Sequence, residues 1–212
     1  SALATYGEIN TWDVSLITNM QSLFDSRATF NSDISNWNVS GVTNMHSMFN
    51  EAASFNGDLS GWDVSNVTRM NQMFNGATSF NQDLSNWNVS SVTTMTDMFN
   101  GADNFNSDIS NWNVSGVWNM HKMFYNSGSF NQDLSSWNVS SVTDMVSMFT
   151  GADMLSDENK CAIHTSFSSN PNWNYDWSSL CSVVFQPQTT AELQTAVDLW
   201  VSDNATALTT YG

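Results

Sequence analysis

Residues 80–102 read FNQDLSNWNVSSVTTMTDMFNGA, and close variants of this stretch follow one another along most of the chain. Its tryptophan marks the phase: Trp12, Trp37, Trp62, Trp87, Trp112 and Trp137 stand 25 residues apart with no slippage. Self-similarity at such a period means stacked units, each burying its apolar face only against its neighbours. In this copy the apolar positions are Leu84, Trp87, Val89, Val92, Met95, Met98 and Phe99, with Phe105 following. Trp87 and Val89 alternate at period two, which predicts a short strand through Trp87-Asn88-Val89. Val92, Met95, Met98 and Phe99 fall at i, i+3, i+6 and i+7, the spacing of one face of a short helix. The methionine columns beside Phe24, Phe49, Phe74 and Phe99 read as core rather than as soft-metal ligands, because Met fills gaps against aromatic rings.

The order Leu-x-x-Trp-x-Val-x-x-Val-x-x-Met matches the leucine-rich-repeat frame, with Trp in the second leucine place. The full motif, FNxDLSxWNVSxVTxMxxMFxxA, resembles the BspA-type leucine-rich repeats of bacterial surface proteins and of large exported proteins of unicellular eukaryotes. The resemblance covers roughly residues 6–155. It implies a cell-surface or extracellular protein with adhesive or ligand-recognition duties and no catalytic activity, and it names no ligand. The expected fold is an α/β solenoid, a leucine-rich-repeat-like right-handed coil of six 25-residue repeats with short parallel strands and short helices.

Residues 1–152 are expected to form the repeat region, with a truncated first repeat. Residues 153–186 should form a C-terminal cap closed by a Cys161–Cys181 disulfide, since an open end of the array would expose core. Residues 187–212 read as a linker and a helix that is the N-terminal cap of a following module. That last reading rests on the likeness of Ala207-Leu208-Thr209-Thr210-Tyr211-Gly212 to Ala2-Leu3-Ala4-Thr5-Tyr6-Gly7. It predicts head-to-tail self-association, with the helix face of Leu193, Val197 and Trp200 covering Ile9, Trp12, Ile17 and Leu23 on the first repeat.

The charge balance narrows the partners. The chain has a net charge of −16, with 20 acidic residues against only Arg27, Arg69, Lys122 and Lys160. Nucleic acid and anionic membrane both require clustered Lys and Arg, so neither is an expected partner; a protein or glycan ligand is. No run of residues is apolar enough for membrane insertion. The two cysteines read as a disulfide in an exported protein, the alternative being a pair of buried thiols.

Three sets of side chains are candidate sites. Asp13, Asn38, Asp63, Asn88, Asn113 and Asn138 form the outward column of the expected strands, and would line a concave binding sheet. Trp118 replaces a threonine of repeat five, and on a helix it would share a face with His121, Lys122 and Tyr125, the composition of an interaction hot spot. Asp33, Asp58, Asp83, Asp108 and Asp133 form an acidic ladder. Carboxylates about 5 Å apart repel by roughly 0.8 kcal/mol per neighbour even in water, so something must offset them. Turn amides, the neighbouring asparagine column or bound calcium could do so. No other cofactor is implied. No nucleophile elbow, phosphate loop or Cys/His metal spacing occurs, and an enzyme is not expected.

Overall fold

The structure, a computed structural model, describes residues 2–181 and 187–202. Among these residues there is no β-strand, and the α-helices are α1 (Ala2–Tyr6), α2 (Asp157–Phe167) and α3 (Thr190–Ser202), all outside the repeats. The expected α/β solenoid with leucine-rich-repeat strands and helices is therefore incorrect. The chain builds stacked coils made almost entirely of tight turns.

Coil four shows why. Asp83 Oδ1 accepts a hydrogen bond from the Ser85 N–H (2.8 Å), and the turn that follows closes with Trp87 N–H donating to Leu84 O (3.1 Å). Asn88 then repeats the device: its Oδ1 accepts from the Ser90 N–H (3.2 Å), and Val92 N–H donates to Val89 O (2.9 Å). The alternation of Trp87 and Val89 is thus produced by two successive Asx corners, each turning an apolar side chain inward, and not by a pleat. The parallel contact between neighbours falls farther on, as isolated bridges joining Asn19, Asn44, Arg69, Thr94, Asn119 and Asp144 in sequence.

The expected helix fails for a related reason. Met95, Asp97, Phe99 and Gly101 donate their N–H groups to Asn119, His121, Met123 and Tyr125 in coil five, at 2.8–2.9 Å. Met98, Asn100 and Ala102 close four-residue turns within their own coil. A helix would satisfy these donors internally; here alternate donors point along the stack. The alternation requires left-handed backbone at Asp97 (φ 53°) and Gly101 (φ 65°), and the equivalent positions recur in every coil as Ser, Gln, Glu, Lys, Asn or Gly.

The apolar columns meet inside these turns. The Trp column from Trp37 onward, the Met columns and two Phe columns are buried. Phe99 and Phe105 stack within one coil (3.8 Å), and Phe74, Phe99 and Phe124 stack across coils (5.6 and 5.7 Å). From Trp37 to Trp137 the indole N–H of this column also staples coils together: Trp87 Nε1 donates to Leu59 O (3.0 Å) and Trp112 Nε1 to Leu84 O (3.0 Å). A second seam is the asparagine column. Asn31, Asn56, Asn81, Asn106 and Asn131 each accept, through Oδ1, the N–H of the residue one coil ahead.

The C-terminal region ends the stack by replacing a seventh coil. Ser156 caps α2 by accepting from the Asn159 N–H, while its own N–H donates to Asn131 at the end of the asparagine seam. Phe149 N–H, which in every earlier coil would reach the next coil, donates instead to Tyr175 Oη (2.8 Å). Trp173, Tyr175 and Trp177 surround the Phe149 ring, and Asn170 Nδ2 donates to Val139 O and Val142 O. Cys161 and Cys181 are joined by a disulfide.

At the other end Trp12, Ile17 and Leu23 are exposed and Ile9 is partly buried. The apolar face of α3 is exposed at Leu193, Val197 and Trp200. Residues 207–212, whose likeness to residues 2–7 motivated the next-module reading, lie outside the described residues.

Candidate functional site

The two acidic and amide columns sit on the corners. Asp13, Asn38, Asp63, Asn88, Asn113 and Asn138 are exposed, and each accepts the N–H of the serine two residues on, at 3.0–3.2 Å. They line no concave sheet, because the described residues form none; their acceptors are engaged in shaping turns.

Asp33, Asp58, Asp83, Asp108 and Asp133 hold the same bond at the preceding corner, at 2.8–2.9 Å. These bonds answer the repulsion problem. The Ser85 N–H, then its hydroxyl, hold the Asp83 carboxyl below its ordinary range, and Ser110 does the same for Asp108 against a smaller opposing push from the Asp83 charge. The asparagine column takes no part in this, being engaged along its own seam. Among the described residues no three His, Cys, Asp or Glu side chains come together to hold a metal ion.

Repeat five does not present its four residues on a helix. Lys122 is left-handed (φ 52°) with Nζ 5.2 Å from the Tyr125 ring centre, and His121 Nδ1 lies 3.6 Å from Asp144 Oδ1. Trp118 belongs elsewhere. It lines a surface groove of about 450 Å³ together with side chains from four preceding coils: Thr94 and Thr96, Arg69 and Asn71, His46, and Gln21. His121, Lys122 and Tyr125 are not part of that lining.

Two features set this groove apart from the rest of the surface. The first is what Trp118 gives up. In its column Thr43, Thr68 and Thr93 each donate a hydroxyl to the carbonyl one coil back (3.2, 3.1 and 3.3 Å), and Thr143 donates to Trp118 O (3.0 Å). Trp118 keeps the backbone bond to Thr93 O but has no hydroxyl to add. In exchange it leaves half of a large aromatic side chain in water, at 50% exposure, and its indole N–H has no partner among the described residues.

The second is a floor already organised by side-chain bonds between coils. Asn71 Nδ2 donates to Thr94 Oγ1 (2.9 Å), which lies 3.3 Å from Thr96 Oγ1, and Thr96 donates to Asn119 Oδ1 (2.9 Å). His46 Nδ1 faces Asn71 O (3.1 Å), so that nitrogen carries the proton, and the Ser47 hydroxyl, 3.3 Å from Nε2, donates to Gln72 Oε1 (3.2 Å). Such a network holds its groups in place before a ligand arrives. Arg69 is exposed, without an ion-pair partner among the described residues, and none of the seven lining residues is acidic in a chain with 20 acidic side chains.

A family described as Mycoplasma protein of unknown function, DUF285, matches the chain twice, over residues 2–102 and residues 83–176. The chain belongs to this family. The DUF285 matches overlap within coil four, so the family is a repeat family whose unit recurs along this array. A comparison with curated proteins gave no match.

The sequence reading selected Trp118 but missed the other groove residues. The signal was present in the repeats themselves: the positions of Arg69 and Thr94, and of His46, Asn71 and Thr96, change from coil to coil, whereas the methionine column between them does not.

Proposed function

We propose that this chain is a non-catalytic recognition module of an exported, surface-exposed protein, and that it binds its ligand in the groove beside Trp118. The observation that carries this reading is the half-exposed indole, present at the expense of a ladder hydrogen bond and with no partner for its own N–H among the described residues. A half-exposed Trp over a rigid polar floor has the composition of an interaction hot spot. The Cys161–Cys181 disulfide favours an oxidising compartment, and the resemblance of the motif to BspA-type repeats supports surface display. A second reading, a spacer whose stacked coils supply length, draws on the asparagine and threonine seams that commit most outward side chains to stacking.

The two readings separate on an array of glycans and extracellular proteins probed with microspheres carrying the chain. A recognition module is retained on at least one feature, and Trp118→Thr lowers that retention at least about tenfold, the factor that about 1.4 kcal/mol produces. Equal retention of the variant removes the groove from the account. Retention on no feature favours the spacer.

A further inference from the structure

We propose that the groove takes a saccharide bearing a single carboxylate, with Arg69 on the carboxylate and the Trp118 indole against the face of a neighbouring pyranose ring. This rests on the recognition reading above and names its ligand class. Arg69 belongs to coil three and Trp118 to coil five, and both line one cavity. Chains in parallel contact lie about 4.8 Å apart, so the two groups are separated along the stack by about 10 Å, a span that a disaccharide covers. The cavity volume of about 450 Å³ lies in the usual range for small-ligand sites.

The chemistry at each end is specific. A guanidinium presents paired donors that match a carboxylate bidentately, and the Arg69 guanidinium has no competing acid in the groove. An indole face is electron-rich and flat, suited to the C–H face of a sugar ring. Between them lie the Thr94 and Thr96 hydroxyls and the Asn71 amide, closely spaced donors and acceptors for ring hydroxyls, and Gln21 lines the groove beyond Arg69. A peptide strand would need open backbone groups to pair with. Along this stretch Met20, Met45, Met95 and Met120 already donate their N–H groups to the next coil. A polyanion is disfavoured by the net charge of −16, which repels it beyond the reach of one arginine.

Isothermal titration of the 212-residue chain with four probes tests this: α2,3-sialyllactose, a glucuronic-acid disaccharide, lactose and hexaglutamate. At least one acidic saccharide should bind at least about tenfold more tightly than lactose. Arg69→Gln should erase that margin and leave lactose unchanged, whereas Trp118→Thr, which installs the residue of the other coils, should weaken every saccharide. Both variants should melt where the parent does. The proposal is overturned if neither acidic saccharide binds the parent chain, or if Arg69→Gln binds the acidic saccharide as the parent does. Trp118-dependent binding of hexaglutamate alone also overturns it, while leaving the recognition reading in place.

Discussion

Trp112 and Trp118 lie in the same coil and are treated as opposites. Trp112 is 3% exposed, stacks between Trp87 and Trp137 at 6.4 Å on either side, and gives its N–H to Leu84 O. Trp118 is half-exposed, unbonded at the indole, and bordered by polar groups from other coils. The first is repeated because the stack needs it; the second occurs once because the stack does not. In an array of near-identical units, a departure from the repeat that costs a bond and leaves half of an aromatic side chain in water marks the place where something other than stacking acts.

The comparison can be broken most forcefully at Trp112. Trp112→Ala should destabilise the chain by about 3–5 kcal/mol, through a cavity shared by three coils and an unpaired Leu84 carbonyl. A midpoint in denaturant close to the parent's would mean that the Trp column is not structural. The asparagine seam comes next. Asn106→Ala removes the acceptor for the Asn131 N–H and for Gln132, and should cost about 1 kcal/mol, since the site is near enough to water for partial replacement. An effect as large as that of Trp112→Ala would show that the seam, not the aromatic column, dominates.

The acidic corners give a smaller, pH-dependent effect. The folded-state pKa of Asp83 lies below its unfolded value of about 3.9, so its stabilising contribution is complete above about pH 4 and is lost as the pH falls through the depressed folded value. Asp83→Asn keeps the Oδ1 acceptor for Ser85 without a titrating group. Its melting midpoint should fall less steeply between neutral pH and about pH 2.5 than the parent's; equal slopes would remove the carboxylate from the acid response. Smallest of all, Trp118→Thr should change stability by no more than about 0.5 kcal/mol, or raise it slightly by restoring the hydroxyl bond to Thr93. A loss near that of Trp112→Ala would make the two tryptophans equivalent and end the contrast.

Much of the interior was legible in the sequence, and the backbone was not. Period and hydropathy place Trp87, Val89, Val92, Met95, Met98 and Phe99 inside, and they are inside. The same spacing misleads about secondary structure, because a run of three- and four-residue turns brings apolar residues inward at intervals close to those of strands and helices. The distinguishing signal was polar. Asp83-Leu84-Ser85 and Asn88-Val89-Ser90 are tandem Asx corners, and the recurrence of glycine at Gly76, Gly101 and Gly151 marks a left-handed position that no helix interior would hold. The groove was only partly legible, because it is assembled from five coils. Trp118 stands out in any alignment of the repeats, but nothing local to Gln21 or Arg69 announces that they meet it.

Because so many bonds join a residue to its counterpart 25 positions away, as from Asn81 to Asn106 and from Thr68 to Thr93, the length of this chain is quantised. Loss of one residue inside a coil throws the asparagine, threonine, tryptophan and phenylalanine seams out of register together. Loss or duplication of a whole unit leaves two faces that still match. Gene rearrangement can therefore lengthen or shorten such an array in whole coils while point insertions are purged. Adding or removing units beyond coil five would move the groove relative to the end of the stack without altering any residue that lines it.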